Sequence, residues 1–112
     1  MFGIAVEERD QAVIVKVAGE LTLYNIKEFE KAFKKYSGPD TRVVALDLGG
    51  VVFLDSFGIS RIVKISRSFT GKADFVLLNV NEDILEVFRM ATFDRIFTIM
   101  SEWDFTNKYF QS

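Results

Sequence analysis

From residue 42 onward the chain alternates apolar runs with amphipathic segments, and this alternation constrains the fold more than any other feature. The runs have the composition of buried strands and span residues 42–48, 75–80 and 96–100. Strands that alternate with helices are joined by right-handed crossovers, so neighbouring strands run parallel. We therefore predict a mainly parallel sheet with helices packed on it.

The segments between the runs repeat apolar residues at intervals of three and four, which is the spacing of helices that bury one stripe. Asp55 or Ser56 can cap the first of these helices, and Gly71 marks its end. Asn81 and Ser101 are candidate caps for the two helices that follow. Three helices are thus expected after residue 55.

The first 40 residues predict two further strands and one more helix. Residues 3–8 and 12–18 are separated by three polar residues, as in a hairpin, and the second run is rich in β-branched side chains. Apolar residues from Ile26 to Tyr36 follow the helical spacing, and residues 37–40 end that helix. The predicted fold class is α/β: a small central, mostly parallel sheet with an N-terminal antiparallel hairpin and about four helices.

The length and the residue types of the chain exclude much chemistry. With 112 residues, we expect one domain, 1–112, that buries roughly two thirds of its unfolded surface. The chain has no cysteine and no histidine, so a thiol nucleophile, a Ser-His pair, a disulfide and an ordinary zinc site are excluded. We expect no catalysis by the chain itself, no cofactor and no metal.

The charge and hydropathy pattern narrows the possible partners and the compartment. A net charge of -2 leaves no basic excess to neutralise a nucleic-acid backbone, so we expect no direct nucleic-acid binding. No apolar run reaches the roughly 18 residues that span a bilayer, and the first residues do not resemble a signal peptide. The expected compartment is the cytoplasm, without membrane association.

Ser56 is the candidate functional residue, because it lies where an apolar strand passes into an amphipathic helix. A helix N-terminus presents unpaired backbone N–H groups and the positive end of the helix dipole, so it accommodates a phosphate group. The alternative is that Ser56 or Asp55 only caps the helix, since both residue types are common N-caps.

Four segments of the chain resemble the STAS domain family, the anti-sigma factor antagonists of bacterial partner-switching systems. Residues 55–58, Asp-Ser-Phe-Gly, resemble the family's Asp-Ser-x-Gly motif, and residues 19–21 resemble its Gly-Glu-Leu. Residues 43–48 resemble the strand before the serine loop, and residues 88–97 resemble the family's helix, turn and last strand. These segments occur in the family's order and at similar intervals over nearly the whole chain.

The resemblance implies a regulator of transcription that acts by binding. The unphosphorylated protein would bind an anti-sigma factor that is also a serine kinase, and phosphorylation of Ser56 would release it. A separate serine phosphatase would restore the free hydroxyl. The residues expected to contact the partner are Thr22, Asp55, Ser56, Phe57, Gly58 and Ser60.

Three of these residues depart from the family's pattern. Thr22 stands where many members have aspartate, Phe57 where a small residue is more common, and Ser60 where a second glycine is frequent. Phe57 is either an exposed partner anchor or folded back onto Phe53. Asp55 either caps the helix or orients the serine hydroxyl toward the partner's ATP. These departures leave open the identity of the partner and whether Ser56 is a kinase substrate.

A second hypothesis is a STAS-type regulatory module that binds a nucleotide or another anion at the same helix N-terminus. STAS-like domains are also attached to anion transporters and lipid-transport complexes. Saturable stabilisation by GTP, ATP or sulfate would favour this hypothesis over the phosphorylation switch.

Overall fold

The computed structural model describes residues 1–36, 40–92 and 95–110, which form a five-stranded sheet and four helices. The elements in chain order are β1 (Gly3–Arg9), β2 (Ala12–Leu21), α1 (Ile26–Tyr36), β3 (Val43–Leu54), α2 (Ser56–Ser68), β4 (Asp74–Leu78), α3 (Glu82–Met90), β5 (Thr98–Met100) and α4 (Glu102–Tyr109). The residues predicted to end α1 include 37–39, which lie outside the described part of the chain.

The strands lie in the sheet in the order in which they occur in the chain. β1 pairs with β2 in antiparallel orientation, whereas the pairs β2–β3, β3–β4 and β4–β5 are parallel. The predicted fold class, a mostly parallel sheet with an N-terminal hairpin and four helices, is confirmed. The physical reason is that α1, α2 and α3 each return the chain to the start of the next parallel strand.

Apolar side chains cover both faces of the sheet, which explains the nearly continuous apolar run of β3. On one face, β-strand residues such as Val15 and Leu46 pack with Phe29 of α1, Ile62 of α2 and Phe88 of α3. On the other face, a smaller cluster contains Phe105 of α4 and the residues Ala12, Ile14, Val43, Ala45, Val76 and Leu78. Helices α1, α2 and α3 thus lie opposite α4.

β3 is longer than the sequence pattern indicated, because it continues through Gly49 and Gly50 to Leu54. The extension pairs with the end of β2, where two register shifts accompany the pairing of Leu21 with Leu54. At Gly50 an added Cβ would lie 3.0 Å from the Cβ of Ala18, so glycine permits the close approach of the two strands. The extended β3 carries the chain directly to the first turn of α2.

Three other boundaries differ from the predictions by a few residues. β4 ends at Leu78, because Asn79 has a left-handed backbone with φ of 55° and leaves the strand. β5 begins at Thr98, and Ile96 is half exposed in the preceding turn. Helix α2 ends at Ser68 with Phe69 as its C-cap, and Gly71, with φ of 79°, lies in the turn that follows.

Candidate functional site

Ser56 is the first residue of α2, and its side chain is exposed to solvent. Among the described residues, its hydroxyl takes part in no hydrogen bond. The helix is capped by Asp55, whose Oδ1 accepts a hydrogen bond from the backbone N–H of Gly58 at 2.8 Å. Of the two candidate caps, the structure therefore assigns this role to Asp55 and leaves the Ser56 hydroxyl accessible.

Asp55 also joins α2 to the loop between β2 and α1. Its second carboxylate oxygen, Oδ2, accepts a hydrogen bond from the backbone N–H of Leu23 at 3.0 Å. Its own backbone N–H donates to the carbonyl of Leu21 at 3.3 Å. These contacts place the segment around Thr22 beside the first turn of α2. The six residues expected to contact a partner therefore come from the loop between β2 and α1 and from the adjoining N-terminal part of α2 with its cap.

Gly58 is buried where the first turn of α2 meets the end of β2. A Cβ atom at this position would lie 2.6 Å from the carbonyl oxygen of Leu21 and 3.3 Å from side-chain atoms of Leu21 and Leu54. Such a distance to a backbone atom requires the helix to move. The glycine of the Asp-Ser-x-Gly segment therefore sets how closely α2 packs on the sheet, which in turn fixes the position of Ser56.

The loop between β2 and α1 is held by Asn25, a residue that the sequence analysis did not single out. Its Oδ1 accepts from the backbone N–H of Thr22 at 2.9 Å, and its Nδ2 donates to the carbonyl of Glu20 at 2.7 Å. Its own carbonyl accepts from the N–H of Phe29 within α1. An asparagine directly before an apolar helical stripe is a common helix start, and that signal was present in the sequence.

Thr22 is half-buried and acts locally in this loop. Its Oγ1 accepts a hydrogen bond from the backbone N–H of Tyr24 at 3.3 Å, which forms a small side-chain turn. The next two side chains, Leu23 and Tyr24, are 55% and 95% exposed. Thr22 therefore shapes a loop that presents two large side chains to solvent.

Phe57 and Ser60 are both exposed on α2. Phe57 is 52% exposed, and neither Phe57 nor Phe53 takes part in an aromatic ring pair within the described residues. We name the surface formed by Leu23, Tyr24, Ser56, Phe57 and Ser60 the Ser56 face. It combines the large side chains of Leu23, Tyr24 and Phe57 with the hydroxyl groups of Ser56 and Ser60. Exposed aromatic side chains such as Tyr24 and Phe57 are enriched at protein-binding surfaces.

Two negative findings apply to the described ranges of the chain. No helix there has the length and apolar character that a membrane crossing requires. Within the same ranges, no group of three or more acidic side chains is arranged to hold a metal ion.

Comparison with known proteins gives one family and several similar structures. The family model described as STAS domain matches residues 3–105. An anti-sigma factor antagonist from Mycobacterium paratuberculosis has a TM-score of 0.85 and 18% identity, with 100% of this chain and 96% of that chain covered. A putative anti-sigma factor antagonist from Thermotoga maritima has a TM-score of 0.81 and 24% identity, with 96% and 95% covered.

A third similar structure is the anti-sigma factor antagonist SpoIIAA in its unphosphorylated form. It has a TM-score of 0.69 and 15% identity, with 98% of this chain and 100% of that chain covered. The Bacillus protein of the same name in its phosphorylated form has a TM-score of 0.65 and 15% identity, with 95% and 98% covered. At these identities the structural matches establish the shared fold.

Proposed function

Since this chain belongs to the STAS domain family, we propose that it is an anti-sigma factor antagonist whose binding is switched at Ser56. With a free Ser56 hydroxyl it binds an anti-sigma factor that is also a serine kinase. Phosphorylation of Ser56 by that kinase releases the partner, and a serine phosphatase reverses the modification. In this proposal residues 1–112 act as one domain that catalyses no reaction.

The observation that carries the proposal is the exposed hydroxyl of Ser56, which has no hydrogen-bond partner among the described residues, on a helix start that Asp55 already caps. A kinase must reach the serine oxygen without unfolding the helix, and this arrangement allows it. In this step the serine hydroxyl gives its proton to a base of the kinase, and its oxygen forms a bond to the γ-phosphorus of ATP. The bond between that phosphorus and the β–γ bridging oxygen breaks, and ADP leaves. SpoIIAA, which shares the fold, is known in both unphosphorylated and phosphorylated forms.

Electrostatics explains why such a modification would prevent binding while preserving the fold. A phosphate adds roughly -1.5 to -2 charges at neutral pH. On an exposed helix start, the dipole favours the anion by about 0.3–1 kcal/mol, whereas the neighbouring Asp55 carboxylate opposes it. A partner that covers the Ser56 face must remove water from the phosphate, and an unpaired buried charge costs several kcal/mol. Each ~1.4 kcal/mol weakens binding tenfold.

The same contacts disfavour the second hypothesis, that a nucleotide or anion binds at this helix N-terminus. The Asp55 carboxylate occupies the position from which an anion would accept the Gly58 N–H bond. A bound anion would therefore lie against a negative charge that is part of the fold. Saturable stabilisation by GTP, ATP or sulfate that Ser56→Asp abolishes would favour the second hypothesis over the switch.

The first experiment is intact-mass analysis and peptide mapping after incubation of the full chain with ATP and an anti-sigma factor that is also a serine kinase. We expect one added phosphate, on the peptide that contains Ser56. Ser56→Ala is expected to remain unmodified. Ser101→Ala, which removes another exposed serine at a helix start, is the matched control and is expected to be modified normally. Modification that persists in Ser56→Ala would contradict the proposal.

Binding to the same kinase, measured by calorimetry, tests the release step. Ser56→Asp is expected to weaken binding by about a hundredfold, while Ser56→Ala binds as well as the unmodified chain. Ser101→Asp introduces the same charge at the start of α4 on the opposite side of the sheet, where aspartate is an equally good cap. Equal losses from Ser56→Asp and Ser101→Asp would show that net charge alone causes the effect.

A further inference from the structure

A cleft of about 680 Å³ lies between α1, α2 and the turn that follows α2. This volume is in the range of small-molecule sites, roughly 300–1,000 Å³. Its α2 residues run from Arg61 to Ser68, which lies about 18 Å along the helix axis from Ser56. The cleft shares no lining residue with the Ser56 face, and the two surfaces adjoin where Arg61 follows Ser60.

Positive charge is concentrated around this cleft, although the whole chain has a net charge of -2. Its lining includes four cationic residues and one carboxylate; the cationic residues are Lys34, Arg61, Lys64 and Lys72. The carboxylate, that of Glu30, is paired with Arg61 at 2.8 Å. Lys64 and Lys72 are exposed and form no ion pair within the described residues. The cleft thus offers two free ammonium groups to an anion.

The inner part of the cleft is apolar and is built from side chains that are held in place. Phe33, Ile65 and Phe69 line it, and all three are buried for most of their surface. The ring of Phe75 connects the two phenylalanines, with ring centroids 6.3 Å from Phe33 and 6.1 Å from Phe69. This packing gives the cleft a preformed apolar wall beside its cationic rim.

Hydrogen-bonding groups that could recognise a nucleobase are scarce in the lining. Ser68 provides a neutral polar side chain, and its hydroxyl already donates to the carbonyl of Ile65 at 2.6 Å. Recognition of a base requires several placed donors and acceptors, whereas recognition of an alkyl chain requires apolar contact alone. The combination of free ammonium groups and an apolar wall fits an anion with an alkyl tail.

We propose that the cleft between α1 and α2 binds an amphiphilic anion of the fatty-acid type. The carboxylate lies near Lys64 and Lys72, and the acyl chain lies along Phe33, Ile65 and Phe69. This site is independent of the proposed phosphorylation of Ser56, and each can fail without the other.

The test is calorimetric titration of the full chain with dodecanoate below its micelle concentration, with backbone amide NMR to locate the site. We expect saturable binding and shifts at residues that line the cleft, such as Lys64 and Gly71. Lys64→Gln combined with Lys72→Gln is expected to weaken binding by about tenfold or more. Lys16→Gln combined with Lys108→Gln removes the same charge from β2 and α4 and is expected to leave binding unchanged.

Two further ligands separate the contributions of the head group and the tail. Butanoate, which lacks the long tail, and dodecyltrimethylammonium, which reverses the charge, are both expected to bind at least about tenfold more weakly than dodecanoate. Equal binding of the cationic amphiphile, equal losses in the two lysine pairs, or shifts outside the cleft would overturn the proposal. Ser56→Ala is expected to bind dodecanoate like the unmodified chain, so this result does not depend on the switch.

Discussion

The carboxylate of Asp55 accepts a hydrogen bond from the backbone N–H of Leu23, a residue 32 positions earlier in the chain, at 3.0 Å. The same carboxylate caps α2 through Gly58. One side chain therefore fixes the start of a helix and the position of a neighbouring loop. Both oxygens are used in these contacts, and the hydroxyl of the following residue, Ser56, forms no hydrogen bond within the described part of the chain.

Replacement of Asp55 by alanine is expected to lower the free energy of unfolding by about 2 kcal/mol, because two backbone N–H groups lose their acceptor. Ser101→Ala removes a cap with one such hydrogen bond, at 3.1 Å, and is expected to cost about half as much. Urea denaturation of the two variants measures the difference. Equal losses would show that the contact with Leu23 contributes nothing to stability.

Gly58→Ala is expected to destabilise the protein by about 1–3 kcal/mol, because the new methyl group meets the carbonyl oxygen of Leu21. Alanine favours a helix over glycine by about 1 kcal/mol, so without this contact Gly58→Ala would stabilise the protein. Gly3→Ala is the control, since nothing lies within 4 Å of its added Cβ. The measurement is the urea midpoint, and a stabilised Gly58→Ala variant would refute the packing argument.

Phe57→Ala is expected to weaken binding of the anti-sigma factor kinase by about tenfold or more while leaving stability within about 0.5 kcal/mol. The reason is that the ring of Phe57 is 52% exposed on the Ser56 face. Trp103 of α4 is 73% exposed on the other side of the sheet, so Trp103→Ala should leave binding unchanged. Calorimetry gives the affinities, and thermal unfolding of each variant shows whether the fold is retained.

Because of Tyr109, the free energy of unfolding is expected to fall as the pH rises in the alkaline range. Burial, together with the hydrogen bond that its hydroxyl donates to the Asp74 carboxylate at 2.8 Å and the charge of that carboxylate, raises its pKa from 10.0 to about 12, although Arg42 opposes the shift. The folded state therefore favours the protonated phenol. The stabilisation of the folded state by the protonated Tyr109 phenol is fully present below about pH 10 and is lost as the pH rises from about 10 to 12.

The check is urea unfolding at about pH 9 and pH 11. Tyr109→Phe should lose less stability over this interval than the unmodified chain, because it has no phenol to titrate at position 109. Tyr24→Phe removes a hydroxyl from a residue that is 95% exposed and should behave like the unmodified chain. Identical pH slopes for all three proteins would contradict a role for Tyr109.

The order of the elements and the parallel sheet were predictable from the sequence, because the alternation of apolar runs and helical spacing reflects burial on both faces. The caps Asn81 and Ser101 were predictable for a similar reason, since capping is local and depends on residue type. The end of β3 was not predictable from its apolar run, because Gly49 and Gly50 interrupt that run while the strand continues. The extension depends on pairing with β2, which is a contact distant in sequence.

The candidate site was predictable only in part, because some of its contacts join segments that are distant in sequence. The position of Ser56 at a helix start follows from the residues around it. The hydrogen bond between Asp55 and Leu23, and the close packing of Gly58 on the Leu21 carbonyl, join segments that are more than 30 residues apart in the chain. Such contacts leave no periodic signal in a single sequence, so only the structure shows them.

The shared carboxylate of Asp55 has a consequence for partner choice among related proteins. Because it holds the loop of residues 20–25 against the start of α2, the two segments have one common geometry. If only the segment around Ser56 were exchanged between two relatives, the start of α2 from one protein would lie beside a loop whose geometry matches the α2 start of the other protein. If the proposed partner contacts are correct, we expect that transfer of partner specificity requires the exchange of both segments together, including Asp55 and the residues of its two N–H donors, Leu23 and Gly58.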